Sequence, residues 1–233
     1  MTVEATPAPR SLFVTGTDTG AGKTMIATAL LQGFASRGLR AVGMKPVASG
    51  TRREFHVHPN EDVEALIEAS NVSAPLDLVN PYCFEPAIAP HLAAEQAHRS
   101  ISVEHIRRCH ASLAGMADRV VVEGAGGFLV PLGEGADWGD VALALRTPTI
   151  LVVGMRLGCL NHALLTAEAL QHRKLPLAGW VANRVDPDMR LFAENVETLR
   201  RMLAAPLLGI MPHAPARDAA RGAIDLEPLL LDA

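Results

Sequence analysis

Short apolar runs along the chain alternate with longer stretches in which apolar residues recur every three or four positions. The short runs predict β-strands at 12–16, 40–45, 119–123, 149–154, 177–182 and 207–211. The longer stretches predict helices at about 23–36, 61–70, 102–117, 137–145, 160–173 and 188–204. Most of the predicted strands are apolar on both faces, as in a parallel sheet covered by helices on both sides. The pattern therefore predicts an α/β fold built on a mostly parallel sheet.

The order of the predicted elements indicates one domain. The chain has 233 residues, which suits a single large α/β domain, and no internal repeat or low-complexity linker interrupts it. Residues 1–10 hold two prolines and lack an apolar signal-peptide core. We interpret them as a loose tail before a domain at 11–233. Four prolines between residues 71 and 100 predict loops over one end of the sheet.

Charge and cysteine content narrow the possible functions. The net charge of −4 gives no reason to expect nucleic acid or an anionic membrane as a partner. No apolar run reaches the roughly 18 residues of a membrane span. The three cysteines, Cys83, Cys109 and Cys159, have neither paired nor metal-ligand spacing. This favours a reduced, cytoplasmic setting.

The segment between the first predicted strand and the first predicted helix carries the clearest chemical signal. It reads Gly16-Thr17-Asp18-Thr19-Gly20-Ala21-Gly22-Lys23-Thr24. A strand, a glycine-rich turn and a helix opening on Gly-Lys-Thr form a phosphate-binding loop, in which backbone N–H groups and the helix dipole attract an anion. The spacing is a variant, because the first glycine of the usual pattern falls at Thr17. The alternative is a glycine-rich turn with an incidental lysine.

A second motif follows the third predicted strand. Glu123 ends this strand and is followed by Gly124, Ala125, Gly126 and Gly127. Ligands of open α/β sheets bind at the carboxyl edge of the strands, so Glu123 is expected beside the phosphate loop. Mg²⁺ prefers carboxylate and phosphate oxygens. A solvent-exposed glutamate at an ordinary turn is the alternative interpretation.

A third motif, Lys45-Pro46-Val47-Ala48-Ser49-Gly50, ends the second predicted strand. A lysine at this edge of the sheet can neutralise charge that develops during phosphoryl transfer, and Ser49 offers a hydroxyl nearby. Taken alone the motif is weak, because a surface Lys-Pro after a strand is ordinary.

Further short motifs follow in a fixed order. They are Asn80-Pro81-Tyr82, Pro90-His91, Leu157-Gly158-Cys159-Leu160-Asn161-His162 and Trp180-Val181-Ala182-Asn183. Together with the three motifs above, they resemble the dethiobiotin synthetase family from Leu12 to about Pro215. The resemblance implies a P-loop NTPase fold and an ATP- and Mg²⁺-dependent ligase of biotin synthesis. The family closes the ureido ring of dethiobiotin from 7,8-diaminopelargonic acid (7,8-diaminononanoate) and CO₂. A carbamate and a carbamic-phosphoric anhydride are the intermediates, and ADP and phosphate are released.

The resemblance also assigns roles to individual residues. The phosphate-binding stretch is Gly20, Ala21, Gly22, Lys23, Thr24 and Met25, and an ATP-contacting turn runs from Glu123 through Gly124 and Ala125 to Gly126. Thr24, Asp62 and Glu123 match the Mg²⁺ ligands, and Asp62 is counted with the ATP site as well. Lys45, with Lys23, matches the catalytic lysines, and Ser49 matches a diamine contact. Asn183 and Arg184 match the adenine site, beside Pro212, His213 and Ala214.

Two features depart from the family pattern or leave alternatives open. Gly20 stands where some members carry a glutamate, so a side-chain contact from that position is absent. The match between Thr51 and Asn60 is loose. Glu61 and Glu64 are therefore alternatives to Asp62 as the metal ligand.

The resemblance further implies a homodimer. The turn Leu157-Gly158-Cys159-Leu160-Asn161 opens a predicted helix, and its backbone N–H groups suit the carboxylate of the diamine substrate. In proteins that this one resembles, the partner subunit supplies that turn. An ordinary helix start is the alternative for the turn.

A P-loop switch ATPase of the partitioning or placement type is the alternative function. Such proteins usually carry a signature lysine five positions before the loop lysine, where this chain has Asp18.

Overall fold

The computed structural model describes residues 11–51, 60–133, 135–213 and 223–230. The strands are β1 (Ser11–Gly16), β2 (Ala41–Met44), β3 (Val47–Ser49), β4 (Tyr82–Phe84), β5 (Arg119–Gly127), β6 (Pro131–Gly133), β7 (Ala136–Asp137), β8 (Thr149–Gly154), β9 (Leu177–Asn183) and β10 (Leu207–Met211). The helices are α1 (Lys23–Ala35), α2 (Glu61–Ala69), α3 (Leu76–Val79), α4 (Pro90–Gln96), α5 (Val103–Met116), α6 (Trp138–Leu145), α7 (Cys159–His172), α8 (Phe192–Met202) and α9 (Glu227–Leu230). The tail at 1–10 and the segment 52–59 lie outside the described residues.

The central sheet has the strand order β10-β9-β8-β1-β5-β2, and its neighbouring strands are all parallel. These six strands are the six that the apolar runs predict, so the predicted α/β fold with a parallel sheet is confirmed. β5 lies between β1 and β2, with Glu123 paired to Val14 and Val122 paired to Met44. The register therefore places Glu123 beside Val14 of β1 and level with the residue that follows Met44, near the carboxyl edge of the sheet.

The two faces of the sheet bury alternate residues of each strand. Leu12, Val14 and Val121 pack with α1 in one apolar cluster, whereas Phe13 and Val122 belong to a second cluster on the opposite face. All five side chains are essentially inaccessible to solvent. This two-sided burial is why the strands appear in the sequence as continuous apolar runs.

The segment 71–100 corrects one expectation from the sequence. Its prolines predict loops, but the structure forms α3, β4 and α4 there, and β4 pairs in parallel with β3. Pro75 is the N-cap of α3, and Pro90 is the first residue of α4. Proline is favoured at the first helical position because the missing N–H would have no partner there. Pro75 and Pro90 thus mark the starts of helices, whereas Pro81 and Pro86 lie outside the helices of this segment. The predicted helix 188–204 is also shorter, since α8 spans Phe192–Met202.

None of the helices in the described part of the chain is long and apolar enough to cross a lipid bilayer. All three cysteines are unpaired; Cys109 and Cys159 are buried and Cys83 is partly buried.

His110 on α5 is expected to make the stability of the fold depend on pH. Its Nε2 lies 2.8 Å from Ser11 Oγ on β1, and burial lowers the pKa of the imidazole from 6.5 to about 4. The unfolded chain therefore binds a proton that the folded state rejects between these two values. Stability should fall as the pH drops through this window, by about 2 kcal/mol at pH 5.

Melting temperatures measured from pH 7 to pH 5 test this expectation. His110→Gln should flatten the decrease in melting temperature, and His172→Gln, at an exposed position on α7, should not. Equal pH dependence in the parent and in His110→Gln would contradict the assignment to His110.

Candidate active site

The loop between β1 and α1 has the conformation of an anion cradle. Gly20 and Gly22 have positive φ angles of 79° and 93°, and α1 begins at Lys23. A Cβ on Gly22 would collide with the side-chain nitrogen of Asn183, so this position requires glycine for its space as well as for its φ angle. The turn leaves the first amides of α1 facing the loop, which is the arrangement that binds phosphate.

Hydrogen bonds from the neighbouring strands fix this loop. The backbone N–H of Thr17 donates to Val152 O (3.0 Å), and Thr17 Oγ1 accepts from the N–H of Gly154 (3.1 Å). On the other side, Asn183 Nδ2 donates to the carbonyl of Ala21 (2.8 Å). The cradle is therefore attached to β8 and β9 before any ligand binds, which reduces the entropy lost on binding.

The ammonium group of Lys23 lies within the loop. Its Nζ donates to the carbonyl of Asp18 at 3.1 Å, and the residue is buried. Burial, and next the positive charge of Lys45, lower the pKa of Lys23. An anion in the loop would relieve both effects, because it supplies a negative charge to a poorly solvated cation.

Three oxygen-bearing side chains converge at the mouth of this loop. Thr24 Oγ1 lies 2.8 Å from Asp62 Oδ1 and 2.9 Å from Glu123 Oε1. The hydroxyl has one hydrogen, so it can donate to only one carboxylate at a time. Glu123 is 1% exposed, and its second oxygen, Oε2, is buried with no hydrogen-bond partner among the residues that the structure describes. The oxygens of these three side chains therefore outnumber the one hydrogen that the Thr24 hydroxyl supplies. Carboxylate and hydroxyl oxygens of this kind are the ligands that a hard cation prefers.

Asp62 reaches this cluster from the first turn of α2. Asn60 caps the helix, and its side chain accepts from the N–H of Asp62 and of Val63. Val63 and Leu66 are buried against the fold, which sets the rotation of the helix. In this rotation, Asp62 faces Thr24 and Lys45. The geometry favours Asp62 over Glu61 and Glu64 as the partner of Thr24.

Lys45 follows β2 and points into the same cluster. Its Nζ lies 2.5 Å from Glu123 Oε1, 3.0 Å from Asp62 Oδ2 and 3.4 Å from Gly124 O. Burial opposes its charge, but the two carboxylates outweigh that effect and raise the pKa of Lys45. The side chain is therefore a buried ammonium ion whose counterions are Glu123 and Asp62.

The two carboxylates differ in their surroundings. Burial raises the pKa of Glu123, although Lys45 and the Thr24 hydroxyl oppose it. Asp62 is also penalised by burial, but Lys45, the Thr24 hydroxyl and Lys23 together lower its pKa. Asp62 is thus ionised more readily than Glu123. A further cation would therefore stabilise the ionised form of Glu123 most.

A cavity of about 630 Å³ opens over this cluster. Its lining includes Lys23, Ser49, Ala125, Gly126 and Val130. The Ser49 hydroxyl is buried and has no hydrogen-bond partner in the described residues. A polar ligand of the cavity could bind this hydroxyl. The volume is in the range of small-molecule sites.

The residues expected at the adenine lie together, at the carboxyl ends of β9 and β10. His213 Nδ1 lies 3.1 Å from the carbonyl of Arg184, whose N–H donates to Met211 O at 3.0 Å. The Arg184 guanidinium stacks 5.0 Å from the ring centre of Phe192. Pro212 is exposed between Met211 and His213, and Met25 packs at the start of α1. Ala214 lies outside the described residues.

The turn before α7 projects from the fold. Leu157 is 97% exposed, and Gly158 caps the helix with a φ angle of 96°. The side chain of Cys159 is buried against Met155, so from Cys159 only the backbone is available to a ligand. The N–H of Cys159 already donates to the carbonyl of Arg156 at 3.0 Å. Of the first amides of α7, those of Leu160 and Asn161 are the ones that a helix leaves for capping groups or anions.

Sequence comparisons identify the family of a chain with this site. A family model described as an AAA domain matches residues 10–221. The ATP-dependent dethiobiotin synthetase BioD of Nitrosospira multiformis is 53% identical over 210 residues, covering 90% of this chain and 91% of the relative. The chain belongs to the dethiobiotin synthetase family. A BioD of Aromatoleum aromaticum agrees, with 50% identity over 218 residues that cover 94% of this chain and 97% of the relative.

Solved structures confirm the P-loop fold of this family member. The MinD cell division protein of Aquifex aeolicus superimposes with a TM-score of 0.56 at 15% identity, covering 93% of this chain and 88% of its own. The septum site-determining protein MinD complexed with Mg-ADP, from Pyrococcus horikoshii, gives a TM-score of 0.55 at 14% identity, with coverage of 93% and 86%. At this identity the likeness shows the fold alone.

Two contacts in this family member were not predicted from its sequence. Arg156, directly before the exposed turn, forms an ion pair with Asp18 in the phosphate loop (3.1 Å). Asn80 is buried and donates to the carbonyl of Lys45. Asn80 is part of a motif that carries the family resemblance, and that membership was the available signal for a role. Nothing in the spacing of Arg156 and Asp18 indicated their contact.

Proposed function

We propose that this protein is an ATP- and Mg²⁺-dependent ligase that closes the ureido ring of dethiobiotin from 7,8-diaminopelargonic acid and CO₂. The single observation that carries the proposal is the convergence of Lys45, Thr24, Asp62 and Glu123 at an open cavity beside a phosphate-binding loop. High identity to named dethiobiotin synthetases over nearly the whole chain supports it.

The proposed reaction has three bond-forming steps. One amine of the substrate attacks CO₂ and loses a proton, which gives a carbamate. A carbamate oxygen then attacks the γ-phosphorus of ATP, and the bond to the bridging oxygen breaks to release ADP. The second amine attacks the carbon of the resulting anhydride, the carbon–oxygen bond to phosphate breaks, and the nitrogen loses a proton as the ring closes.

Phosphorylation of a carbamate requires two anions to approach each other. Lys45 places one ammonium group in the Thr24 cluster, Lys23 places a second within the phosphate loop, and the glycine-rich loop adds oriented N–H groups. Such fixed positive charge lowers the repulsion and stabilises the charge of the phosphoryl-transfer transition state. The reaction requires little covalent chemistry from the protein. Positioning of the two reactants therefore contributes most of the remaining rate enhancement.

The residues present fit a magnesium ion. Thr24, Asp62 and Glu123 would hold it, together with phosphate oxygens and water, and Glu123 Oε2 would gain a partner. When bound, the ion neutralises phosphate charge and orients the β- and γ-phosphates.

Asp62→Asn and Glu123→Gln should each raise the Mg²⁺ concentration that gives half-maximal activity. Each change removes one anionic ligand and leaves the phosphate loop in place. Magnesium titrations at saturating ATP measure the effect. Glu61→Gln and Glu64→Gln are the matched controls in the same helix turn and should behave like the parent. If Glu61→Gln or Glu64→Gln shifts the titration and Asp62→Asn does not, the ligand assignment in α2 is wrong.

The proposed function is tested by the substrate requirement of ATP hydrolysis. Release of ADP and phosphate should require both the diamine and bicarbonate, with one dethiobiotin formed for each ATP. A switch ATPase, the alternative suggested by the fold, would hydrolyse ATP without either compound. Hydrolysis at the same rate in their absence would overturn the ligase assignment.

We further propose that the active form is a homodimer in the cytoplasm. Leu157 is almost fully exposed beside the site, and a separate cavity of about 500 Å³ next to the phosphate loop is bordered by Leu129 and Leu165, which are 54% and 55% exposed. Exposed apolar groups of this kind favour burial by a partner. The unpaired cysteines fit a reducing compartment. In the proposed dimer the Leu157–Asn161 turn binds the substrate carboxylate of the partner's site.

Mixing two inactive variants tests this arrangement. Lys45→Gln damages the phosphoryl-transfer site, and Leu157→Asp with Gly158→Val damages the turn through charge and through a φ angle that valine disfavours. If each subunit completes the other's site, the mixed dimer should regain up to about half of one parent dimer's activity through its one intact site. No recovery after demonstrated subunit exchange would mean that each site is built from a single chain.

A further inference from the structure

The side chain of Asn80 joins the segment before β4 to the backbone of Lys45. Its Nδ2 donates to the carbonyl of Lys45 at 2.5 Å and to the carbonyl of Tyr82 at 3.0 Å. Asn80 is 6% exposed and caps the end of α3, where its own N–H donates to the carbonyl of Leu76, the first residue of that helix. The backbone hydrogen bond therefore fixes Asn80, and its side-chain amide holds the peptide groups of Lys45 and Tyr82 in place.

The orientation of this amide follows from its partners. Both groups in contact are carbonyls, which only accept hydrogen bonds, so the nitrogen must face them. The reverse orientation would set three oxygens against one another in a buried site.

Lys45 depends on this clamp because it lies between two strands. β2 ends at Met44 and β3 begins at Val47, and Pro46 has no N–H to donate. The backbone of Lys45 is held instead from the segment 79–80, because its N–H donates to Val79 O at 2.9 Å and its carbonyl accepts from Asn80. Both bonds to the peptide of Lys45 thus come from one short segment.

The position of this peptide determines where the ammonium group lies. Lys45 Nζ makes contacts of 2.5 Å and 3.0 Å with two carboxylates. Because the side chain is buried, its torsions have little room to compensate for a displacement of the Cα, and the ammonium group would lose these contacts. Misplacement of a reacting or stabilising group by about 1 Å can cost about 100-fold in rate.

We infer that Asn80 is a positioning residue for phosphoryl transfer, which fixes the backbone of Lys45 and so places its ammonium group among Thr24, Asp62 and Glu123. The inference rests on the role proposed for Lys45. Asn80 itself touches neither nucleotide nor substrate in this scheme.

Asn71 supplies a matched control for this inference. It is also an asparagine of the segment that covers the free edge of β2, and its side chain accepts from Ala41 N (2.7 Å) and donates to Leu39 O (2.9 Å). It holds the opposite end of the same strand, away from Lys45. Loss of its bonds should weaken the fold without moving the ammonium group.

Steady-state kinetics on the full-length protein, assayed well below each variant's melting temperature, test the inference. Asn80→Ala should lower kcat by about 10- to 100-fold, with the KM for ATP changed by less than about 3-fold. Asn80→Ser keeps one donor, so it should lose less and also covers the case in which the alanine variant fails to fold. Asn71→Ala should keep kcat within about 2-fold of the parent. An unchanged kcat in folded Asn80→Ala, or in Asn80→Ser where the alanine variant does not fold, would overturn the inference.

A double-mutant cycle with Lys45→Gln separates positioning from general damage. If Asn80 acts through Lys45, adding Asn80→Ala or Asn80→Ser to Lys45→Gln should cost less than about 3-fold further. The same loss in both backgrounds would overturn the inference and leave the role of Lys45 standing. Full turnover in Lys45→Gln alone would overturn the role of Lys45, and the inference with it.

Discussion

Lys23→Ala is expected to lower ATP-dependent turnover by at least about 1,000-fold while the protein still folds. Lys23 is a buried ammonium whose Nζ donates to the Asp18 carbonyl at 3.1 Å, and it lies in the loop that binds the phosphates in the proposed complex. A single fixed donor to a developing anion contributes about 10²–10³-fold, and this lysine faces both the β- and γ-phosphates in the proposed complex. Removing it also removes a partly desolvated charge, so the ligand-free melting temperature should stay near that of the parent.

Thr24→Val should cause a comparable loss, because it deletes the hydroxyl between Asp62 and Glu123 with little change in volume. Thr28→Val is its control one turn along α1, where the hydroxyl donates to the carbonyl of Met25 at 2.9 Å. Lys174→Ala is the control for lost charge, at an exposed position. Either active-site variant retaining most of its turnover, with the two controls also active, would show that the loop does not bind the phosphates of ATP.

The sheet and its phosphate loop could be predicted because each strand, and the loop itself, is determined by consecutive residues of the sequence. Each buried strand is a continuous apolar run, and the loop, its glycines and its lysine occupy nine consecutive residues. The edge at which Glu123 and Lys45 lie also follows from local sequence, since Lys45 directly follows β2 and Glu123 closes the apolar run of β5. The expectation that Glu123 ends its strand was wrong, because β5 continues through the glycines to Gly127. The contact of Lys45 with Glu123 at 2.5 Å does not follow from local sequence, because it requires β5 to insert between β1 and β2.

Other features depend on rotation and on distant pairing. Three acidic residues open α2, and only the burial of Val63 and Leu66 determines that Asp62 faces Thr24. The bond from Asn183 to the Ala21 carbonyl joins residues 162 positions apart, and β8 separates their two strands. The spacing of two residues along the chain does not predict such a contact.

The prediction of loops at 71–100, made from the prolines, was wrong for a different reason. Proline both breaks helices and begins them, and which role it plays depends on the residues that follow. After Pro90 the chain continues with alanine and leucine, which are good helix formers, so α4 forms at a site that the proline alone marked as loop. The functional consequence is large, since this segment holds Asn80 and lines the cavity with Ala89 and Pro90.

Lys45→Gln is expected to lower the rate of phosphoryl transfer by about 10²–10³-fold, and to weaken ATP binding much less. The reason is its position: Lys45 lies beyond the glycine-rich loop, against Glu123 and Asp62, where the carbamate and the γ-phosphate would meet. A charge at that point acts on the transferring group more than on the bound nucleotide. Single-turnover rates at saturating ATP, with nucleotide affinity measured by calorimetry, separate the two effects.

The variant should also unfold at a lower temperature, because Glu123 loses its buried counterion. Breaking a buried pair of this kind costs about 3–5 kcal/mol when the partner stays ionised, and protonation of Glu123 would reduce the cost. Mg²⁺ with ATP should restore much of the melting temperature, since the ion replaces the missing positive charge, yet it should not restore turnover. Lys174→Gln removes a lysine at an exposed position and serves as the control. If Lys45→Gln transfers the phosphoryl group at the parental rate once Mg²⁺ and ATP have restabilised it, Lys45 holds Glu123 in the fold and has no part in the chemistry.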